Sequence, residues 1–362
     1  MTRSVRLQSL AKVNLDLRVL NKRADGFHEL RTVLQTISLA DTIEIDYEPA
    51  RRTVLQIEDS LAIPDNLVLR AAQALLDLMK VHAKIRFRLK KHIPMGAGLG
   101  GGSSNAAAVL LTLPVLAGRT VSLEELAGLG AQLGSDVPFF LNGGTAVALG
   151  RGTEMYGLPQ IKQEPALVIA SGIHVATGPA YQALARPSAG DLSSDGESLT
   201  STDLSRKIND FQLFVRTLGE FRSAKAASAS SANDFESVVF QQHPRLKAMW
   251  GRLRRQSAGA RMTGSGSALF AVFDSAVERD TARKILEEDR VLRGATVVAA
   301  NLVNGRAYRR LWQRQLKQHL VPSRFATDYD PLVTESDPLV TESDPLVTES
   351  ELIWPPHSRY AR

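Results

Sequence analysis

The 362-residue chain is 44% hydrophobic and 23% charged, the balance of an ordinary globular protein, and its length suits two domains. It has no cysteine, no apolar run near the roughly eighteen residues of a bilayer span, and a start, Met1-Thr-Arg-Ser-Val-Arg-Leu7, without the apolar segment of a secretory signal. Disulfides, thiolate metal sites and a membrane partner are thereby excluded, and a cytoplasmic location is expected.

In chain order, residues 5–20 alternate loosely and predict a strand ending near Asn21; residues 32–45 predict a strand pair interrupted at Ala40 and Asp41. Helical spacing over 66–80 aligns Leu67, Ala71, Ala74, Leu75 and Leu78, with Asp65 or Asn66 as cap. Ile85, Phe87 and Leu89 alternate with Arg86 and Arg88, as in a half-buried strand. After a glycine-rich stretch, the alanine-rich 103–113 is a strong helix former, and Ser122 with Glu125 has the capping-box spacing. Strands over 167–171, 268–273 and 294–302, with helices over 207–218 and 277–287, fit a second α+β domain. The Ser/Asp/Gly-rich 187–205 and the Ala/Ser-rich 226–232 read as linkers.

Net charge is +6, yet residues 321–362 hold eight acids against three arginines (Arg324, Arg359, Arg362). The basic remainder attracts anions, either phosphorylated metabolites or nucleic acid. The tail contains three copies of Asp-Pro-Leu-Val-Thr-Glu-Ser, starting at Asp330, Asp337 and Asp344. A proline in each forbids a heptad coiled coil, and a disordered acidic tail is expected.

The stretch Pro94-Met95-Gly96-Ala97-Gly98-Leu99-Gly100-Gly101-Gly102-Ser103-Ser104-Asn105 carries the chemistry. Closely spaced glycines let successive N–H groups turn into one concavity, and a helix that starts at once adds its own free amides and positive dipole end. A polyphosphate is the natural occupant, with Ser103 and Ser104 offering hydroxyls to phosphate or to a metal ion. The same residues match the dinucleotide fingerprint Gly-x-Gly-x-x-Gly at 96, 98 and 101, so an NAD(P)-dependent oxidoreductase is an alternative. The acids at the required distance, Glu124 and Glu125, fall within a capped helix, which argues against it. No Gly-x-x-x-x-Gly-Lys-Ser/Thr motif exists.

Three motifs together resemble the GHMP kinases: Ala11-Lys12-Val13-Asn14-Leu15, the glycine stretch, and Arg261-Met-Thr-Gly-Ser-Gly-Ser-Ala-Leu-Phe270. Four further features resemble the branch of that family acting on CDP-methylerythritol in non-mevalonate isoprenoid synthesis: Lys12 with Asn14, Arg23-Ala-Asp-Gly-Phe-His-Glu29, Leu133-Gly-Ser-Asp-Val-Pro-Phe-Phe140, and Asn233-Asp-Phe-Glu236. The resemblance covers about residues 5–305. It implies a two-domain α+β fold, with a ribosomal-protein-S5-like ATP-binding domain over 1–163 and a ferredoxin-like substrate domain over 164–320; the tail over 321–362 lies outside it.

The implied activity is transfer of the ATP γ-phosphate to an alcohol. Asp136 matches the catalytic aspartate and Lys12 the catalytic lysine; Pro94 to Ser104 hold the nucleotide, with Asn66 at the adenine. Phe27 supplies a stacking face for cytosine, His28 its hydrogen-bonding edge, Tyr181 the opposite face of the stack, and Asn14 touches the methylerythritol end. Position 27 is usually tyrosine in that branch, so the ring is kept and the hydroxyl lost. Mg²⁺ is expected to enter with ATP, with Ser104 as its protein ligand. Partners are then small molecules, with no nucleic acid, and the chain a monomer or weak homodimer. Another alcohol acceptor within the same family remains open. The basic runs 84–91 and 306–314 raise nucleic-acid binding, but no recognition-module signature accompanies them.

Overall fold

The computed structural model describes residues 1–59, 61–184, 201–320 and 354–360. The first domain contains β1 (Arg3–Lys22), β2 (His28–Pro49), β3 (Val54–Asp59), α1 (Leu67–Met79), β4 (Ala83–Lys90), α2 (Gly101–Ala117), α3 (Leu123–Leu133), α4 (Val137–Asn142), β5 (Thr145–Gly150) and β6 (Glu154–Gly157). Its sheet runs β3-β4-β2-β5-β6, with β1 paired along β2. All pairs are antiparallel except β3 with β4. The strand before the glycine stretch thus has no parallel partner leading out of α2, as a dinucleotide-binding unit would require. The oxidoreductase alternative fails on topology.

The two strands expected over 32–45 are one strand. The register passes from Leu10 opposite Ala40 to Ala11 opposite Ile37, so Ser38 and Leu39 form a bulge instead of a break. A second irregularity, at Leu15 on β1, brackets Ala11–Asn14 between two kinks. From Ser9 to Leu20 β1 is buried on both faces, which explains its loose alternation. One face carries Ala11, Val13, Leu15, Leu17 and Val19; the other buries Lys12, Asn14, Asp16 and Arg18. A row of four buried polar side chains is costly unless each is satisfied.

The capping box at Ser122 and Glu125 forms with both reciprocal bonds. Asn66 caps α1, its side chain accepting from the Val68 N–H. The buried stripe of α1 is Val68, Ala71, Ala72, Leu75 and Leu76, rotated from the one expected, and Leu78 is exposed. On β4, Ile85, Phe87 and Leu89 face the core as expected.

The second domain comprises β7 (Pro165–Ala170), α5 (Thr177–Leu184), α6 (Ser201–Phe221), α7 (Ala224–Ala227), α8 (Phe235–Gln242), α9 (Pro244–Gln256), β8 (Arg261–Met262), β9 (Leu269–Val272), α10 (Ala276–Glu288) and β10 (Thr296–Asn301), followed by α11 (Gly305–Leu316). Its antiparallel sheet has the order β10-β7-β9-β8, with helices between its first and second strands and between its third and fourth. That is the βαββαβ arrangement of the expected ferredoxin-like domain.

Neither predicted linker is one where it is described. Residues 201–205 are the start of α6, and the Ala/Ser run is a capped turn of helix, with Ser223 accepting from the Ala226 N–H and Ala224 and Ala227 buried. Serines that cap helices read as linker when their partners are unknown. The helix α11, inside the expected 164–320 boundary, packs Tyr308, Trp312 and Leu316 into the core of the first domain. Its arginines are the wet face of an amphipathic helix. The repeats lie outside the described residues, but the last segment of the expected tail docks. Trp354 Nε1 donates to the Leu141 carbonyl at 3.0 Å and Ser358 Oγ to that of Val115 at 2.6 Å.

Candidate functional site

Alternation governs the glycine loop. Gly96, Gly98 and Gly100 all take left-handed φ (63°, 79° and 70°), while Ala97 and Leu99 between them are buried in an apolar cluster shared with the second domain. The apolar side chains anchor the loop from behind, leaving backbone at its front. Gly100, at the cap of α2, has no side chain to bond the helix's first-turn amides, which stay available to an anion. Ser104 is buried, and Ser103 lies beside Gly134, in the turn leading to Asp136.

Lys12 sits against this loop. Its N–H donates to the Leu99 carbonyl at 3.0 Å, and a Cβ on Gly100 would lie 3.0 Å from its Cγ. Lys12 Nζ donates to Asn14 Oδ1 at 2.8 Å and pairs with Asp136 Oδ2 at 3.2 Å. The lysine side chain is 4% exposed and the aspartate 34%, so the carboxylate is the half of the pair that reaches outward. Asp136 occupies the cap position of α4 but bonds no amide there. Its oxygens are not spent on the helix.

Asn14 lies behind Lys12, buried, and is shared between Lys12, Thr32 and Thr263. These bonds tie it to the lysine and to the second domain. Asn66 likewise uses both ends of its carboxamide, capping α1 and donating to Asp59 Oδ2 at 3.2 Å. A groove of about 460 Å³ lined by Thr42, Glu44, Glu58, Asp59, Arg88, Leu89 and Lys90 shares Asp59 with Asn66 but includes neither Lys12 nor Asp136.

The residues expected at cytosine, Phe27, His28 and Tyr181, are only partly brought together. The rings of His28 and Tyr181 stack at 5.0 Å and 23°, and Tyr181 meets Phe235 edge-on at 4.8 Å. Phe27 stands apart, 51% exposed, with the Arg151 guanidinium 3.8 Å over its ring. Phe27 and Tyr181 therefore do not form the two walls of one slot; His28 holds the Tyr181 face. His28 Nε2 is buried without a hydrogen-bond partner. Burial, and then the charge of Lys22, hold the His28 imidazole below its ordinary pKa. Burial, with Asp136 nearby, pushes the Tyr181 phenol up to about 12.

Asn233-Asp-Phe-Glu236, quoted from the sequence without individual roles, holds the site together. Asn233 Nδ2 donates to the carbonyls of Met262 (2.7 Å) and Gly264 (2.9 Å), and Glu236 accepts the Met262 N–H at 2.7 Å. Asp234 accepts from the Val19 N–H and from Lys207. The third motif thereby reaches the loop, where a Cβ on Gly98 would fall 2.3 Å from the Thr263 carbonyl oxygen. Arg151 and Thr263 escaped sequence reasoning. The first carries no local signal; the second lies in a Thr-Gly-Ser-Gly turn that gives no hint of its distant partners.

Two family descriptions match the chain, GHMP kinases N terminal domain over residues 66–144 and GHMP kinases C terminal over 212–290. A 4-diphosphocytidyl-2-C-methyl-D-erythritol kinase of Solibacter usitatus is 50% identical over 319 residues, 88% of this chain and 95% of that one. One from Thermotoga maritima is 37% identical over 75% of this chain and 92% of its own. A crystal structure of 4-(cytidine 5'-diphospho)-2C-methyl-D-erythritol kinase superposes with a TM-score of 0.64 at 34% identity, covering 83% of this chain and 99% of that one. A homoserine kinase from Cytophaga hutchinsonii, 16% identical with a TM-score of 0.62 over 83% of this chain and 95% of its own, shares the fold.

Proposed function

Since the chain belongs to the 4-diphosphocytidyl-2-C-methyl-D-erythritol kinases of the GHMP family, we propose that its Lys12–Asp136 pair aligns the 2-hydroxyl of that cytidine substrate for in-line attack on the γ-phosphate of ATP. The reading is carried by one observation: the pair is closed, at 3.2 Å, directly against the glycine loop. The O–H bond of the acceptor breaks as its oxygen bonds phosphorus, the proton passes to the Asp136 carboxylate, and ADP leaves with the electrons of the broken P–O bond. An aspartate is a weak base toward an alcohol, but in a loose transition state the proton departs late, and orienting the oxygen counts for more than basicity. The Lys12 ammonium offsets charge on the transferring group. Gly96 to Gly102 hold the triphosphate through backbone amides, with Pro94 and Met95 at the entrance and Asn66 toward the adenine.

The described residues hold no cluster of three or more His, Cys, Asp or Glu that could carry a metal alone. Mg²⁺, a hard cation, fits the oxygen donors that are here, the hydroxyls of Ser103 and Ser104 with phosphates and water. When bound it would neutralise phosphate charge. Among the described residues no helix is long and apolar enough to cross a membrane. His28, with its unpartnered Nε2, reads the cytosine edge, and the exposed ring of Phe27 offers a face for the base to stack on.

ADP release tests the substrate. Turnover is expected with the cytidine-diphosphate methylerythritol and not with methylerythritol 4-phosphate; equal rates on both would refute base recognition, and preference for an unrelated alcohol would reassign the acceptor.

A further inference from the structure

We infer that Thr263 is a positioning residue for Lys12: its hydroxyl, delivered by the second domain, holds the Asn14 carboxamide in the one orientation that turns its oxygen to the Lys12 ammonium. The inference rests on the kinase reading of the Lys12–Asp136 pair.

Donor and acceptor accounting decides the orientation. Lys12 Nζ has no lone pair, so the Asn14 atom 2.8 Å from it must be the oxygen. On the other side Asn14 Nδ2 donates to Thr32 Oγ1 at 2.8 Å, and the Thr32 proton goes to the Asp16 carbonyl at 2.7 Å. Thr263 Oγ1 accepts the Asn14 main-chain N–H at 3.0 Å, leaving its own proton for Asn14 Oδ1 at 3.1 Å or the Gly98 carbonyl at 3.3 Å. No amide flip satisfies these partners together. Thr263 is fully buried, and Asn14 and Thr32 are each 4% exposed, so water does not stand in for any of them.

Thr263 is itself fixed from both flanks. Asn233 bonds the carbonyls on either side of it, and its own N–H donates to the Ala268 carbonyl at 3.0 Å. One hydroxyl therefore reaches both the strand that carries Lys12 and the loop that holds phosphate. Through it the second domain sets the catalytic geometry without touching the reacting atoms.

The test compares Thr263→Val, which keeps the shape and removes the hydroxyl, with Thr263→Ser, which restores it. Two readouts are taken on the full chain: steady-state ADP release with the cytidine substrate, and the ¹⁵N–¹H signal of the Lys12 side-chain ammonium without substrate. Valine is expected to lower kcat by about tenfold to a hundredfold, the range for a misplaced catalytic group, while the KM for ATP stays within about twofold. The Lys12 signal is expected to be lost to fast exchange in the valine variant, and serine to keep both rate and signal. Wild-type kcat and an unchanged Lys12 signal in the valine variant would overturn the inference; so would a serine variant as impaired as valine, which would make the methyl group responsible. If the wild type itself releases no ADP, the kinase reading falls, and the ammonium signal decides the inference alone.

Discussion

Lys12 has three N–H donors, and Asn14 Oδ1 and Asp136 Oδ2 take two of them; in the proposed mechanism the third meets an oxygen of the transferring group. Lys12 and Asp136 fall inside motifs whose order constrains them, and the fold closes them into one ion pair at 3.2 Å. Asn14 was legible as a site residue but not as to role, since its partner Thr263 lies 249 positions away. The base-binding residues are separable by experiment. Phe27 is half exposed and belongs to no core cluster, so Phe27→Ala should leave the fold and the KM for ATP intact. It should raise the KM for the cytidine substrate by about 5- to 150-fold, the worth of one base stack of about 1–3 kcal/mol. An unchanged acceptor KM would remove Phe27 from the site. Arg151 had no sequence signal because its contact is made by a ring 124 positions earlier across β2 and β5.

Among the elements, the glycine loop shows why its composition cannot be exchanged residue for residue. Gly98 combines a left-handed φ of 79° with a neighbouring backbone oxygen that would lie 2.3 Å from a Cβ, and backbone cannot swing aside. Gly98→Ala is expected to cost more than about 2 kcal/mol and to abolish saturable ATP binding. Gly102 is helical, and its nearest neighbour to a Cβ would be Leu67 at 3.6 Å, so Gly102→Ala should melt at or above the wild-type temperature. Thermal melts of the two variants check the contrast; equal destabilisation would contradict this account of the loop. Elements dictated by local chemistry were readable: the capping box, the alternation of β4, the cap of α1. Those decided by distant packing were not. The bulge at Ser38 and Leu39 needs β1 beside it, and the Ala/Ser run is held by distant partners, Arg261 on the carbonyls of Ser228 and Ser231 and Glu164 on the N–H groups of Ala224 and Lys225.

At the scale of the whole molecule, two buried carboxylates tie stability to pH. Burial lifts the Glu236 carboxyl from its ordinary 4.5 to about 7, against the opposing pull of Arg261 and Arg254, and lifts Asp16 from 3.8 to about 6, against Arg18. Between those ordinary and raised values the folded chain holds protons the unfolded chain has released. Stability therefore falls as pH rises through about 4.5 to 7, by on the order of 3 kcal/mol for Glu236. Glu236→Gln keeps an oxygen for the Met262 N–H and loses the titration, so its denaturation midpoint should depend less on pH across that window than the wild type's. Parallel profiles would refute the assignment. The domain boundaries expected from sequence placed α11 with the second domain, yet its Tyr308, Trp312 and Leu316 complete the first core. A chain that returns to its starting domain leaves no mark in local periodicity.

The alignment of an alcohol by Asp136 is tested most directly by single-turnover ADP formation with the cytidine substrate in Asp136→Asn beside wild type. The asparagine keeps the shape and loses the charge, and a fall in rate of about 10²- to 10⁴-fold, with ATP affinity retained, is the predicted result. A rate within a fewfold of wild type would contradict it.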